Sequence, residues 1–240
     1  MHQLAGYHRP ESIAEAITLL GEPHRMALAG GTTIRHDGGA SPVELVDLQA
    51  LGLDGIEHAD HGVRLGATTT LQALTDSDLV PELIRNTARA EQPSTLRSLA
   101  TLGGTIGAAE SDSVLLAALL VHGASVELAD GREEPLPELL HDGVPGGDLI
   151  VGVTVALGGA TAIAATGRTP ADRPIVAALA RTVAETDGLS LALCGVASTP
   201  ELVDPTRLDR LEPPGDFRGT PGYRRHLAQV LTSRVVEELS

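Results

Sequence analysis

The sequence predicts a mixed α+β fold divided between Leu157 and Arg173, and three observations predict it. Segments with a helical apolar stripe, such as residues 11–20 with Ile13, Ala16, Ile17 and Leu20, interleave with short apolar runs of strand length. Glycine and proline punctuate those runs, with 27 and 15 of them in 240 residues. Beyond residue 159 the composition shifts, and two strand-like runs followed by one long helix make a C-terminal unit.

The elements follow in order. The helix at 11–20 starts near Glu11 or Ser12 and stops at Gly21. Residues 25–28 form a short strand that enters the glycine loop AGGTTIRHDGG. VELVDL at 43–48 and residues 62–67 are the next strands, and Thr68 or Thr69 can cap a short helix in TTTLQAL. Residues 78–90 read as helix, 101–107 as a second glycine loop, and 113–122 as an apolar helix. Strands follow at 125–128 and at 149–157, the latter between Gly146-Gly147 and Gly158-Gly159. The strand-like runs 175–180 and 189–196 are separated by the turn signal Thr186-Asp187-Gly188. A proline- and glycine-bearing loop at 212–222 precedes a final helix over about 221–238. The chain shows no strong internal repeat.

Composition narrows the function. The formal net charge is −15, and all 17 strongly basic side chains are arginine, because the chain has no lysine. That charge argues against nucleic acid as a partner, since its binding needs a basic face. It argues equally against an anionic membrane surface. A phosphate-bearing ligand must then be held by local geometry rather than by bulk charge. No stretch approaches the roughly 20 apolar residues of a membrane span. The N-terminus has no basic start followed by an apolar block, so it reads as the beginning of a domain rather than a signal peptide. The single cysteine, Cys194, lies in an apolar run and reads as core. Together these features point to a cytoplasmic protein.

Two diglycine segments carry the chemistry. AGGTT at 29–33 and TLGGT at 101–105 each pair two glycines with threonines. Such turns let the backbone approach a ligand closely and let successive N–H groups converge on an anion. Two of them can grip the two phosphates of a dinucleotide without a lysine, although each alone reads as an ordinary tight turn. GxGxxG, Walker and GxSxG motifs are absent. His58, Asp60 and His61 lack further metal ligands at sensible spacing and read as a solvated turn. The alternating charges at 204–212 read as an exposed helix, and Tyr223-Arg224-Arg225 as packing plus a surface ion pair.

Taken as an ordered set, these segments resemble the flavoprotein (medium) subunit of the molybdenum hydroxylases, the carbon monoxide dehydrogenase and xanthine dehydrogenase type. The opening LAGYHRPESIAEAITLL, AGGTTI, ELVDLQAL, VRLGATTTLQAL, TLRSLATLGGTIGAA and DFRGTPGYRRHLAQVLTSR carry the resemblance along nearly the whole chain. It implies an FAD-binding domain of the p-cresol methylhydroxylase type at 1–160, in subdomains of about 1–53 and 54–160. A smaller α+β flavoprotein domain follows at 168–240.

The resemblance also implies the site. Ala29, Gly30, Gly31, Thr32, Thr33 and Ile34 would line one side of the FAD diphosphate, and Thr101, Leu102, Gly103, Gly104 and Thr105 the other. The family's acidic ribose contact falls, without gaps, on Val114. Asp112 stands two residues earlier as the remaining candidate, and Ile150 completes the set. No catalytic acid, base or metal ligand is expected, because electron relay requires none. The expected partners are an iron–sulfur small subunit and a molybdopterin large subunit in a hetero-oligomer. FAD would pass electrons from the iron–sulfur clusters to an external acceptor. The alternative is a flavin-depleted scaffold in the same kind of complex.

Overall fold

A computed structural model describes residues 4–33, 42–167, 169, 172–184 and 188–240. Ile34 and the turn residues Thr186 and Asp187 lie outside the described residues. The architecture is α+β, and each of its three sheets belongs to one stretch of the chain.

The first stretch holds β1 (Leu4–His8), α1 (Ile13–Leu20), β2 (Arg25–Leu28) and β3 (Val43–Asp47). Its sheet is parallel, in the order β1-β3-β2. Ser12 caps α1 by accepting the Glu15 N–H at 3.2 Å, and Ala16 is the residue of α1 that buries completely. Ala16 joins Val46, Leu48, Leu53, Leu149 and Val151 in a small core. That core ties this sheet to the next one.

The second stretch holds β4 (Ile56–Ala59), β5 (Gly62–Gly66), α2 (Leu71–Asp76), α3 (Glu82–Glu91), α4 (Ser94–Arg97), α5 (Leu102–Ala108) and α6 (Val114–Val121). It continues with β6 (Ser125–Leu128), β7 (Glu133–Pro135), α7 (Leu136–Asp142) and β8 (Ile150–Val155). Its antiparallel sheet runs β4-β5-β8-β6-β7. Thr70, rather than Thr68 or Thr69, caps α2 by accepting the Ala73 N–H. The solvated turn expected around 54–61 is narrower than its spacing suggested, because Ile56–Ala59 pairs with β5 as a hairpin. Among the described residues no group of histidine, cysteine and acidic side chains is placed to hold a metal.

Every residue of α6 is buried, which explains a sequence that is apolar all round. One core cluster holds α6 together with Val153 and Val155 of β8 and with Ala177, Leu179, Ala192 and Cys194 of the third sheet.

That sheet, antiparallel in the order β12-β11-β10-β9, comprises β9 (Thr161–Thr166), β10 (Val176–Val183), β11 (Gly188–Cys194) and β12 (Glu201–Leu202). The alternate residues Ala178, Ala180, Leu191 and Leu193 face α8 (Pro221–Glu238) through Leu227, Ala228, Leu231 and Val235. Both faces are therefore covered, and β10 and β11 read as continuous apolar runs. The charged stretch 204–212 holds only a 3-10 turn at Leu208–Arg210 instead of the expected helix.

Arg224 departs from the surface role expected of it. It is 4% exposed. One of its Nη atoms donates to the carbonyls of Ile175 (2.9 Å) and Gly195 (2.7 Å), and the other to Asp216 (2.7 Å). No described helix is long and apolar enough to cross a membrane.

Candidate functional site: a cleft with three walls

The two diglycine segments meet. A cleft of about 500 Å3 is lined by the first of them, by the second, and by a third stretch at 144–150. Ala29, Gly30, Gly31, Thr32 and Thr33 form the first wall, directly beyond β2. A Cβ added to Gly30 would stand 1.7 Å from the Leu99 carbonyl oxygen, so only glycine lets this loop lie against the approach to α5. Gly31 sits at φ +70°, a left-handed backbone that side chains resist. The N–H groups of residues 30–33 donate to no oxygen among the described residues. Successive amides on a glycine turn with no partner among the described residues suit an anion.

The second wall differs from its expected form. TLGGT is not a loop: Thr101 is the N-cap of α5, and both glycines lie in the first helical turn. Its amides are already engaged. Gly103 N–H donates to the Ala67 carbonyl at 2.8 Å, and Gly104 N–H to Thr101 Oγ1 at 3.2 Å. The cleft is therefore not gripped by amides from two sides. The second wall supplies a bare glycine surface at Gly103, Gly104 and Gly107, together with Thr101. Leu102 is fully buried beneath this wall. Thr105 is buried too, its hydroxyl donating to the Thr101 carbonyl at 3.0 Å, and neither residue lines the cleft.

Asp112 also lies away from the cleft. It accepts one Nη of Arg173 and one of Arg218, each at 2.9 Å. Arg173 reaches on to Glu91 at 3.4 Å, and Arg218 also donates to the Arg173 carbonyl. Burial pushes the Glu91 carboxyl above its usual range. Asp112 thus serves the junction between α3, the start of α6 and the third sheet. Val114, the first residue of α6, is buried.

Ile150 does line the cleft, at the end of the third wall. Val144, Pro145, Gly146, Gly147, Asp148 and Leu149 precede it, and the motif reading passed them over. The signal was present as a third diglycine, which read only as a strand boundary. Thr68, just after β5, is a further lining residue.

Side-chain charge in the cleft is balanced. Arg25 lines it but pairs with Glu22 at 2.9 Å and with Glu44 at 2.8 Å. Arg25 and then His8 hold the Glu44 carboxyl below its usual range. Attraction for an anion therefore rests on main-chain dipoles, as the charge of −15 requires.

A glycine turn whose amides have no partner among the described residues, lining a cleft between a parallel and an antiparallel sheet, suits a phosphate-bearing nucleotide cofactor. Residues 2–155 match the family described as the FAD binding domain in molybdopterin dehydrogenase, and the chain belongs to that family. Its cofactor is FAD, and it stands among oxidoreductase subunits. The chain is 27% identical over 248 residues to YgfM of Escherichia coli K12, covering 95% of this chain and 93% of that protein. It is 37% identical over 132 residues to the carbon monoxide dehydrogenase medium chain of Afipia carboxidovorans, covering 51% of this chain and 46% of that one. Among solved structures, reconstituted CO dehydrogenase from Oligotropha carboxidovorans is 26% identical with a TM-score of 0.85, covering 100% of this chain and 98% of that one.

Proposed function

We propose that this chain holds FAD in the three-walled cleft as the flavin subunit of a molybdenum hydroxylase-type complex. The observation that carries the reading is that the amides of residues 30–33 donate to no oxygen among the described residues and line one cleft with a bare glycine wall, where the described lining side chains carry no net charge. In this reading the amides of Gly30, Gly31, Thr32 and Thr33 bind the diphosphate, with the hydroxyls of Thr32 and Thr33 as added donors. Thr101, Gly103 and Gly104 give the close opposite surface, and Ile150 packs against one end of the cofactor. Aliphatic side chains and main chain face the rest, because the chain has two tyrosines, one phenylalanine and no tryptophan. Bound FAD would supply reversible two-electron chemistry between the iron–sulfur clusters of a partner and an external acceptor. The partners in this reading are an iron–sulfur subunit and a molybdopterin subunit, in the cytoplasm. The FAD-binding unit spans 1–160 and a C-terminal unit 168–240, a division supported by the separate sheets.

The test is purification of the intact complex. Iron–sulfur and molybdopterin chains are expected to accompany this one, and its flavin absorption to bleach when the clusters are reduced. A complex whose flavin does not respond to reduced clusters would refute the electron route. The engaged amides at Gly103 and Gly104 and the buried Val114 favour a second reading, a scaffold without flavin. Co-purification of the same partners with no flavin would select it.

A further inference from the structure

Among the described residues lining the cleft, two carry ionisable side chains, Arg25 and Asp148. Arg25 is matched by two carboxylates. Asp148 is held differently. Its side chain, 11% exposed, lies between the third diglycine and β8. One oxygen accepts the Leu149 N–H at 2.8 Å, and the other accepts an Nη of Arg132 at 3.1 Å. Arg132 is itself gripped by Asp130 and Glu134. The carboxylate is thus fixed in orientation, with two contacts on a group that offers about four acceptor positions.

A carboxylate repels phosphate, so it does not serve the diphosphate end of the cleft. It accepts and cannot donate when ionised, so the ligand part beside it must carry donors. Leu20, Pro145 and Ile150, all aliphatic, and Gly146 and Gly147, which have no side chains, line the same cleft. An aliphatic lining together with a fixed acceptor suits a nucleoside: the base would lie on the aliphatic surface and the ribose hydroxyls would donate to the carboxylate.

We propose that Asp148 binds the adenosine ribose hydroxyls of the dinucleotide, and so selects FAD over flavin mononucleotide. This rests on the FAD reading above. Hydroxyl bonds to a charged acceptor that excludes water are strong enough to govern which flavin is retained.

The experiment titrates the full chain, stripped of flavin, with FAD, flavin mononucleotide, ADP, 2′-deoxy-ADP, 3′-deoxy-ADP and inosine diphosphate. ADP is expected to bind at least about tenfold more tightly than one of its deoxy analogues. Asp148→Asn is expected to weaken ADP and FAD by a similar factor while leaving that deoxy analogue and flavin mononucleotide unchanged. The unfolding midpoint is measured alongside, and the comparison of ligands on the unaltered chain needs no variant at all. Equal binding of ADP and both deoxy analogues by the unaltered chain would overturn the proposal. So would an Asp148→Asn chain that loses every nucleotide equally, or a loss confined to inosine diphosphate. A chain that binds ADP but not FAD would sink the flavin reading alone, with the ribose contact still scored on ADP. A chain that binds neither sinks both.

Discussion

Gly30 is the residue on which the site turns. A Cβ there would overlap the Leu99 carbonyl, and a backbone neighbour cannot swing aside as a flexible side chain would. Gly30→Ala is therefore expected to displace the first loop, to lower stability by about 1–3 kcal/mol and to abolish FAD retention. Thermal unfolding and released flavin measure the two effects separately. His122 gives a second test at this scale. It is 1% exposed, one ring nitrogen bonds the Ala156 carbonyl at 2.8 Å, and Nε2 has no partner among the described residues. Burial pulls its pKa from 6.5 down to about 4. The unfolded chain then binds the proton more readily, so this group's contribution is full above pH 6.5 and is lost as the pH falls toward 4. The loss approaches roughly 3 kcal/mol across that window. His122→Gln does not titrate. The gap in unfolding free energy between the two proteins should shift in that window, and denaturant titrations at pH 7 and pH 5 will check it. A gap independent of pH would contradict the assignment.

At the scale of the element, the glycine turns and the helix starts explain what the sequence could and could not reveal. The stripe of α1 and the apolar run of α6 were legible because burial alone sets their pattern. β1, β9 and α7 were missed. The first two strands are short and partly exposed, with burial that fluctuates along the edge of a sheet, and α7 is a helix of seven residues following a proline. TLGGT reads as a loop and is the first turn of α5, with Gly103 set close against Ala67. Its own Thr101 supplies the cap, while the Ala67 carbonyl that takes the Gly103 N–H comes from a distant part of the chain and leaves no mark on the motif. Arg224 shows the same limit. Nothing in YRR distinguishes an arginine that faces water from one that reaches two strand carbonyls beneath α8. Arg224→Ala should leave those carbonyls and Asp216 without a donor, at a cost of about 3 kcal/mol or more in unfolding free energy. Lysine should restore only part, because it lacks the planar fork of donors. Urea denaturation of the two variants tests this, and a surface role would leave both near the unaltered value.

Over the whole molecule, three sheets share two kinds of joint. One is apolar, the core cluster that α6 shares with the five-stranded and four-stranded sheets. The other is ionic, with Asp112, Arg173, Arg218 and Glu91 bridging α3 and the start of α6 to the third sheet. Asp112 was expected at the cofactor and stands at this joint, a displacement that only the folded chain shows. Cys194 lies inside the apolar joint, fully buried, with burial pushing its thiol up to about 12. It should resist thiol reagents at pH 8 in the native chain and react once denaturant opens the joint, so labelling kinetics will report whether the sheets separate before global unfolding. The cleft depends instead on the small core around Ala16 that ties the first sheet to the second, since its walls come from those two sheets and the turn between α7 and β8. The most direct measurement of the central claim is FAD released by heat from the intact complex, quantified against this chain. A near-stoichiometric yield from the unaltered protein, lost in Gly30→Ala while the partners remain bound, is the predicted result; an intact complex that carries no FAD at this chain would contradict it.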